Sequence, residues 1–193
     1  MEDLALRERI CQGAQQLWLR GLLAGDAGLL TVEAHRRRFL VTPPGKRRSD
    51  LLPLDLMNVD LGGVDMNNGP ALAPELWRPH RIAYQIDRDS APGITSTSAP
   101  VRATLLAHPP ALTALILQQP QTQELLIFGQ PGLPILDPTA DDPTLLAAIQ
   151  ARRSLYLRNQ GLFLAAADLA AALSLAERLE QAALITILSN RRA

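Results

Sequence analysis

The sequence predicts a mixed α/β fold in which helices cover a central sheet. Three observations carry the prediction. Over 193 residues the chain reads as a helix, then a group of short strands, then alternating strands and helices. The run Thr104-Leu105-Leu106-Ala107-His108-Pro109-Pro110-Ala111-Leu112 ends an apolar strand on a histidine and starts a helix at once on two prolines. The final helix, 167–188, is strongly apolar, with Leu169, Leu173, Leu175, Ala176, Leu179, Ala183, Leu184 and Ile187. No repeat and no internal boundary interrupts the pattern, so residues 1–193 are expected to form a single domain.

The elements follow in order. Segment 4–23 reads as a helix because Leu6, Ile10, Ala14, Leu17 and Gly21 recur at helical spacing. Gly25-Asp26-Ala27-Gly28 stops it, its two glycines free to take positive φ. Strands are expected at 29–32 and 38–42, with a turn at His35-Arg36-Arg37. Pro43-Pro44-Gly45 ends the second, since proline cannot continue a ladder. A third strand fits 56–59. Residues 75–86 read as a helix that Pro79 should kink or delay. The polar segment 87–100, rich in Ser, Thr and Pro, reads as an exposed loop.

Strand 101–107 leads into helix 110–118, and strand 124–128 into a Gly/Pro-rich connection through Asp137-Pro138. Asp141-Asp142-Pro143 can cap a helix running to Arg152. A strand at 154–158 then meets Asn159-Gln160-Gly161-Leu162-Phe163-Leu164.

Composition excludes several functions. Acidic and basic side chains balance at 19 each, so net charge suggests no polyanionic partner. Arg36-Arg37-Arg38 lacks the interleaved aromatics of a single-strand nucleic-acid surface. No apolar run approaches the ~20 residues that span a membrane, and the acidic start lacks the basic region of a signal peptide. A cytoplasmic protein with no nucleic-acid or membrane partner is expected. One cysteine, Cys11, rules out an internal disulfide or a Cys-rich zinc site, and reads as a small core residue. Lys46 is the sole lysine, in a loop beside Arg47 and Arg48. Schiff-base chemistry needs a desolvated lysine, which argues against lysine-based aldol cleavage.

Five motifs follow one another over nearly the whole length. They are Gly25-Asp26-Ala27-Gly28, then Phe39-Leu40-Val41-Thr42-Pro43-Pro44-Gly45, then Pro74-Glu75-Leu76-Trp77-Arg78-Pro79-His80-Arg81-Ile82-Ala83-Tyr84. Leu105-Leu106-Ala107-His108 with its Thr-Ala-Leu helix and Tyr156-Leu157-Arg158-Asn159-Gln160-Gly161-Leu162 complete the set. In this order they resemble the class II aldolase/adducin family. The resemblance implies a three-layer α/β/α domain with a mostly antiparallel sheet. It also implies three histidines holding a zinc-like metal that polarises a carbonyl, a glutamate that moves protons, and early loops that cradle a phosphate.

This chain departs from that pattern at most of the functional positions. Leu106 stands at the first metal-ligand position, His108 at the second and Gln160 at the third. Leucine has no lone pair, and glutamine is a poor zinc ligand. His108 is therefore a residual ligand position; no cofactor is expected, and zinc would require a rebuilt ligand set. The catalytic glutamate is usually four residues before a histidine like His80, whereas Glu75 lies five before it, so either Glu75 or Leu76 holds that place. In the phosphate cradle the asparagine and the hydroxyl residues are gone. Gly28, Gly45, Lys46, Asn159 and Gln160 remain as candidate substrate contacts, although Lys46, Arg47 and Arg48 also read as a solvated basic loop. Tyr84 and Tyr156, the only tyrosines, read as packing residues.

Two functions follow. One is a catalytically silent member acting as a structural or interaction module. Such a protein is expected to be a homo-oligomer, a tetramer by the resemblance, or a hetero-oligomer with a related aldolase. The other is an atypical sugar-phosphate aldolase, epimerase-like lyase or small-molecule binder rebuilt around His108 and Glu75, with Thr95, Ser96, Thr97 and Ser98 facing the cleft.

Overall fold

The structure is a computed structural model that describes residues 2–35, 37–67, 69–86 and 99–190. Helix α1 (Glu2–Leu19) precedes the antiparallel pair β1 (Leu29–His35) and β2 (Arg38–Val41), and β3 (Met57–Val59) adds to its edge. Helix α2 (Pro74–Gln85) and β4 (Ala103–Ala107) follow, then α3 (Pro110–Leu117), β5 (Glu124–Leu125) and β6 (Leu133–Leu136). The chain continues with α4 (Asp142–Arg152), β7 (Ser154–Leu157), β8 (Gly161–Ala166) and α5 (Leu169–Asn190).

Among the described residues the strands form one sheet in the order β3-β2-β1-β4-β8-β7-β6-β5. Every neighbouring pair is antiparallel except β6 with β7. The two-residue period of the strands sends alternate side chains to opposite faces. Leu162, Leu164 and Ala166 of β8 join one buried cluster, while Phe163 and Ala165 join another. Helices α1, α3 and α5 cover the first face. Helices α2 and α4 cover the second. The architecture is the expected three-layer α/β/α with a mostly antiparallel sheet.

Local chemistry sets the element ends. Asp141 accepts a hydrogen bond from the Thr144 N–H at 2.9 Å and caps α4. Helix α2 runs on through Pro79, which is buried and whose missing N–H leaves the Glu75 carbonyl without its helical partner. The expected strand at 124–128 shrinks to Glu124–Leu125, and the Gly/Pro-rich connection after it contains a further strand, β6. Pro134 sits in β6 opposite Glu124 of the short edge strand. A ladder tolerates proline beside an edge, so Pro134 does not prevent the strand.

The α2 face of the sheet carries a buried polar chain. Tyr84 Oη and Thr31 Oγ1 are 2.6 Å apart, Thr31 and Thr104 hydroxyls 2.5 Å, and Thr104 Oγ1 and His80 Nδ1 2.7 Å. His80 is fully buried, stacked on Trp77 at 5.8 Å and meeting Phe163 edge-on at 5.2 Å. Desolvation pushes its pKa down to about 3, so the ring is neutral. Tyr84 is thus more than a packing residue. Cys11 is buried in the other cluster, where burial pushes its thiol up to about 11, in keeping with an inert core cysteine.

Candidate functional site

A cleft of about 430 Å³ opens where the ends of several elements meet. Gly28 precedes β1, Gly45 follows β2, and Glu75 and Leu76 start α2. Leu106 lies near the end of β4, His108 just beyond it, and Asn159 and Gln160 form the β7–β8 turn. All of these line the one cleft, so residues spread over most of the sequence are brought together. Thr95, Ser96, Thr97 and Ser98, and nearly all of the 87–100 loop, lie outside the described residues.

Backbone fit brings the walls close. Gly28 has φ +78, and a Cβ there would stand 2.4 Å from the Leu106 carbonyl oxygen. Gly161, φ +118, would place a Cβ 2.2 Å from the Ala107 carbonyl oxygen. Both glycines let a loop backbone touch β4. Gly45, φ +75, has open space where a Cβ would go. His108 is tied by its N–H to the Leu22 carbonyl at 2.9 Å. The helix that follows it is capped from α5, where the Glu180 carboxylate accepts from the Ala111 and Leu112 N–H groups at 2.8 and 2.9 Å.

The two candidates for the acidic position both reach the cleft. Leu76 lies one turn before the buried His80 and is half-buried; Glu75, ~100° round the helix, is exposed at the cleft rim. Lys46 is directed elsewhere. Its Nζ lies 2.7 Å from Asp55 Oδ1, and that hydrogen bond holds the Asp55 carboxyl below the usual range.

Arg48 is fully buried, which corrects the expectation of a solvated basic loop. Nη1 donates to the Pro43 and Lys46 carbonyls at 2.8 and 2.9 Å, and Nη2 to the Asp26 and Gly28 carbonyls at 2.8 and 2.6 Å. One guanidinium therefore clamps the two loops that carry Gly28 and Gly45. Desolvation lowers its pKa to about 10, with the nearby Asp26 charge acting the other way. No sequence signal separated Arg48 from its neighbour Arg47; only the three-dimensional meeting of the loops does so.

The positions that the resemblance gives to the metal ligands, Leu106, His108 and Gln160, all line the cleft. As a donor set they do not fit zinc. They offer one imidazole, one amide and no third donor, and zinc sites take four ligands, at least three of them from protein. Among the described residues no group of three or more His, Cys, Asp or Glu could hold a metal. Burial holds the His108 pKa below its ordinary value, against an opposing hydrogen bond with the Gln160 backbone. Its Nδ1 is buried with no partner among the described residues. The arrangement offers a neutral imidazole, two exposed carboxylates (Asp26 and Glu75) and two amide side chains around a cavity with one apolar wall.

Comparisons with known proteins agree with the fold. The 5-methylthioribulose-1-phosphate/5-deoxyribulose-1-phosphate aldolase of Rhodospirillum rubrum is 28% identical over 184 residues, covering 93% of this chain and 79% of its own. The l-fuculose-1-phosphate aldolase of Thermus thermophilus superposes with a TM-score of 0.73 at 25% identity, covering 97% of this chain and 94% of its own. YgbL of Klebsiella pneumoniae superposes at 0.78 with 25% identity, covering 99% and 93%. Residues 8–187 match the family model described as Class II Aldolase and Adducin N-terminal domain. The chain belongs to the class II aldolase and adducin family.

Proposed function

We propose that this protein keeps the class II aldolase scaffold without metal-dependent carbon–carbon cleavage, and acts as a binding or interaction module. The observation behind this reading is the cleft wall itself, where Leu106 and Gln160 flank a single imidazole, His108. A Lewis acid cannot be retained against water by that set. The same protein acts as a homo-oligomer, by analogy a tetramer, or assembles with a related active aldolase. It works in the cytoplasm, without a nucleic-acid or membrane partner. No helix of the described residues is long and apolar enough to cross a membrane.

A second reading has a specific observation in its favour: Glu75 and His108 line the same cleft with Asn159 and Gln160. A neutral imidazole and a carboxylate can exchange protons with a bound substrate. Two of the named relatives carry the names of sugar-phosphate aldolases, so a sugar-phosphate aldolase or epimerase-like lyase is the activity to assay. Purified protein, with and without added zinc, is incubated with l-fuculose 1-phosphate and with 5-methylthioribulose 1-phosphate, and release of the cleaved ketone and aldehyde fragments is followed. Turnover that disappears in Glu75→Gln and His108→Asn would establish the second reading. Absence of turnover in folded protein supports the first.

A further inference from the structure

A larger cavity, about 650 Å³, lies on the α3 side of His108 and shares His108, Asn159 and Gln160 with the cleft as a common wall. We propose that it is a separate binding site for a small amphipathic anion, an oxyanion carried on a short apolar stem. The inference is independent of whether the cleft is catalytic.

Charge distinguishes the two cavities. Asp26 and Glu75 line the cleft, whereas among the described residues no acidic side chain lines the second cavity. Its one full charge among the described residues is Arg158, half-buried in the turn after β7. Among the described residues this guanidinium makes no ion pair, and its one hydrogen bond runs from Nη2 to the Thr122 carbonyl at 2.5 Å. That contact holds one prong of the fork against the α3–β5 connection and leaves the other donors for a ligand. The charge of Arg158 is felt at Asp137, but Asp137 is exposed and does not line the cavity. Solvent screening makes it a weak counter-ion.

Neutral polar groups and an apolar wall complete the site. The Tyr156 hydroxyl donates its one hydrogen to Thr113 Oγ1 over 3.2 Å, which leaves the Thr113 hydroxyl to donate to a ligand. Pro110, Ile116, Leu117 and Pro120 supply the apolar surface. A cavity of this size, mostly apolar with a few converging polar groups, has the make-up of a small-molecule site. A guanidinium without a carboxylate partner selects an oxyanion, and the proline and aliphatic wall selects an apolar stem attached to it.

Titration calorimetry on the full chain, in chloride buffer without phosphate, tests the assignment with hexyl phosphate and hexanoate as probes. Inorganic phosphate and hexanol are the controls. The expected result is saturable binding of hexyl phosphate or hexanoate at one per chain, at least about tenfold tighter than either control. The two probes distinguish a phosphate site from a carboxylate site. Arg158→Met should weaken binding about tenfold or more, the effect of losing a charge-assisted contact. Tyr156→Phe should weaken it several-fold while keeping the ring. Should Arg158→Met fail to fold, Arg158→Lys replaces it; a charge without the fork should bind measurably less well than arginine. Equal binding of probes and controls, no saturable binding to folded protein, or undiminished binding in the folded Arg158 variant would overturn the proposal.

Discussion

The carbonyl oxygen of Leu106 lies 2.4 Å from where a Cβ on Gly28 would stand. The strand that ends near His108 and the loop that opens the cleft are thus in backbone contact, and only glycine permits it. Gly28→Ala should destabilise the fold by about 2–4 kcal/mol, combining the left-handed backbone penalty with overpacking. Gly45→Ala meets open space at a similar φ, so it should show only the backbone penalty, about 1–2 kcal/mol. Urea unfolding midpoints of the two variants check the ranking, and equal losses would contradict it.

Arg48 joins four carbonyls from two loops through one buried guanidinium. Arg48→Met strands those acceptors, and the loss should be about 3 kcal/mol or more. Arg48→Lys keeps a charge but cannot span the same four oxygens, so it should recover only part of the stability. Amide hydrogen exchange of the lysine variant gives a local readout. Exchange should quicken in both 25–28 and 43–46 while α5 stays protected; change in one loop alone would contradict the clamp.

Acid should loosen the fold through His80. Burial sets its folded pKa at about 3, below the unfolded value of about 6.5. The unfolded chain therefore binds the proton first, and the contribution is fully present above pH 6.5 and declines as pH falls towards 3. The slope attributable to one such group is at most about 1.4 kcal/mol per pH unit. Urea midpoints between pH 7 and pH 4 should fall, and the fall should be shallower by close to one proton in His80→Gln. The same slope in both proteins would contradict this assignment.

Much of the fold was legible because its signals are local. Asp141 before Pro143 caps α4, and Arg152 ends that helix. The same holds for the strand that runs into His108, since an apolar run and two prolines are read within a dozen residues. Strand β6 was not legible, because Leu133-Pro134-Ile135-Leu136 is short and a proline interrupts it. Its pairing with β7 is what makes it a strand. The cleft members were nameable from motif order, and they do gather around one cavity. Arg48 was misread because burial of a charge depends on two loops meeting, which no spacing in the chain encodes. Lys46 was named as a contact, and its pairing with Asp55 depends on a fold-back that one-dimensional reading does not see.

Zinc retention tests the central claim most directly. Purified protein is incubated with excess zinc, freed of unbound ion by gel filtration, and its metal content measured against protein concentration. The wild type is expected to retain far less than one zinc per chain. The Leu106→His, Gln160→His double variant, which gives the cleft wall three imidazoles with His108, is expected to approach one. Near-stoichiometric zinc on the wild type would contradict the claim, because His108 would then have recruited ligands other than Leu106 and Gln160.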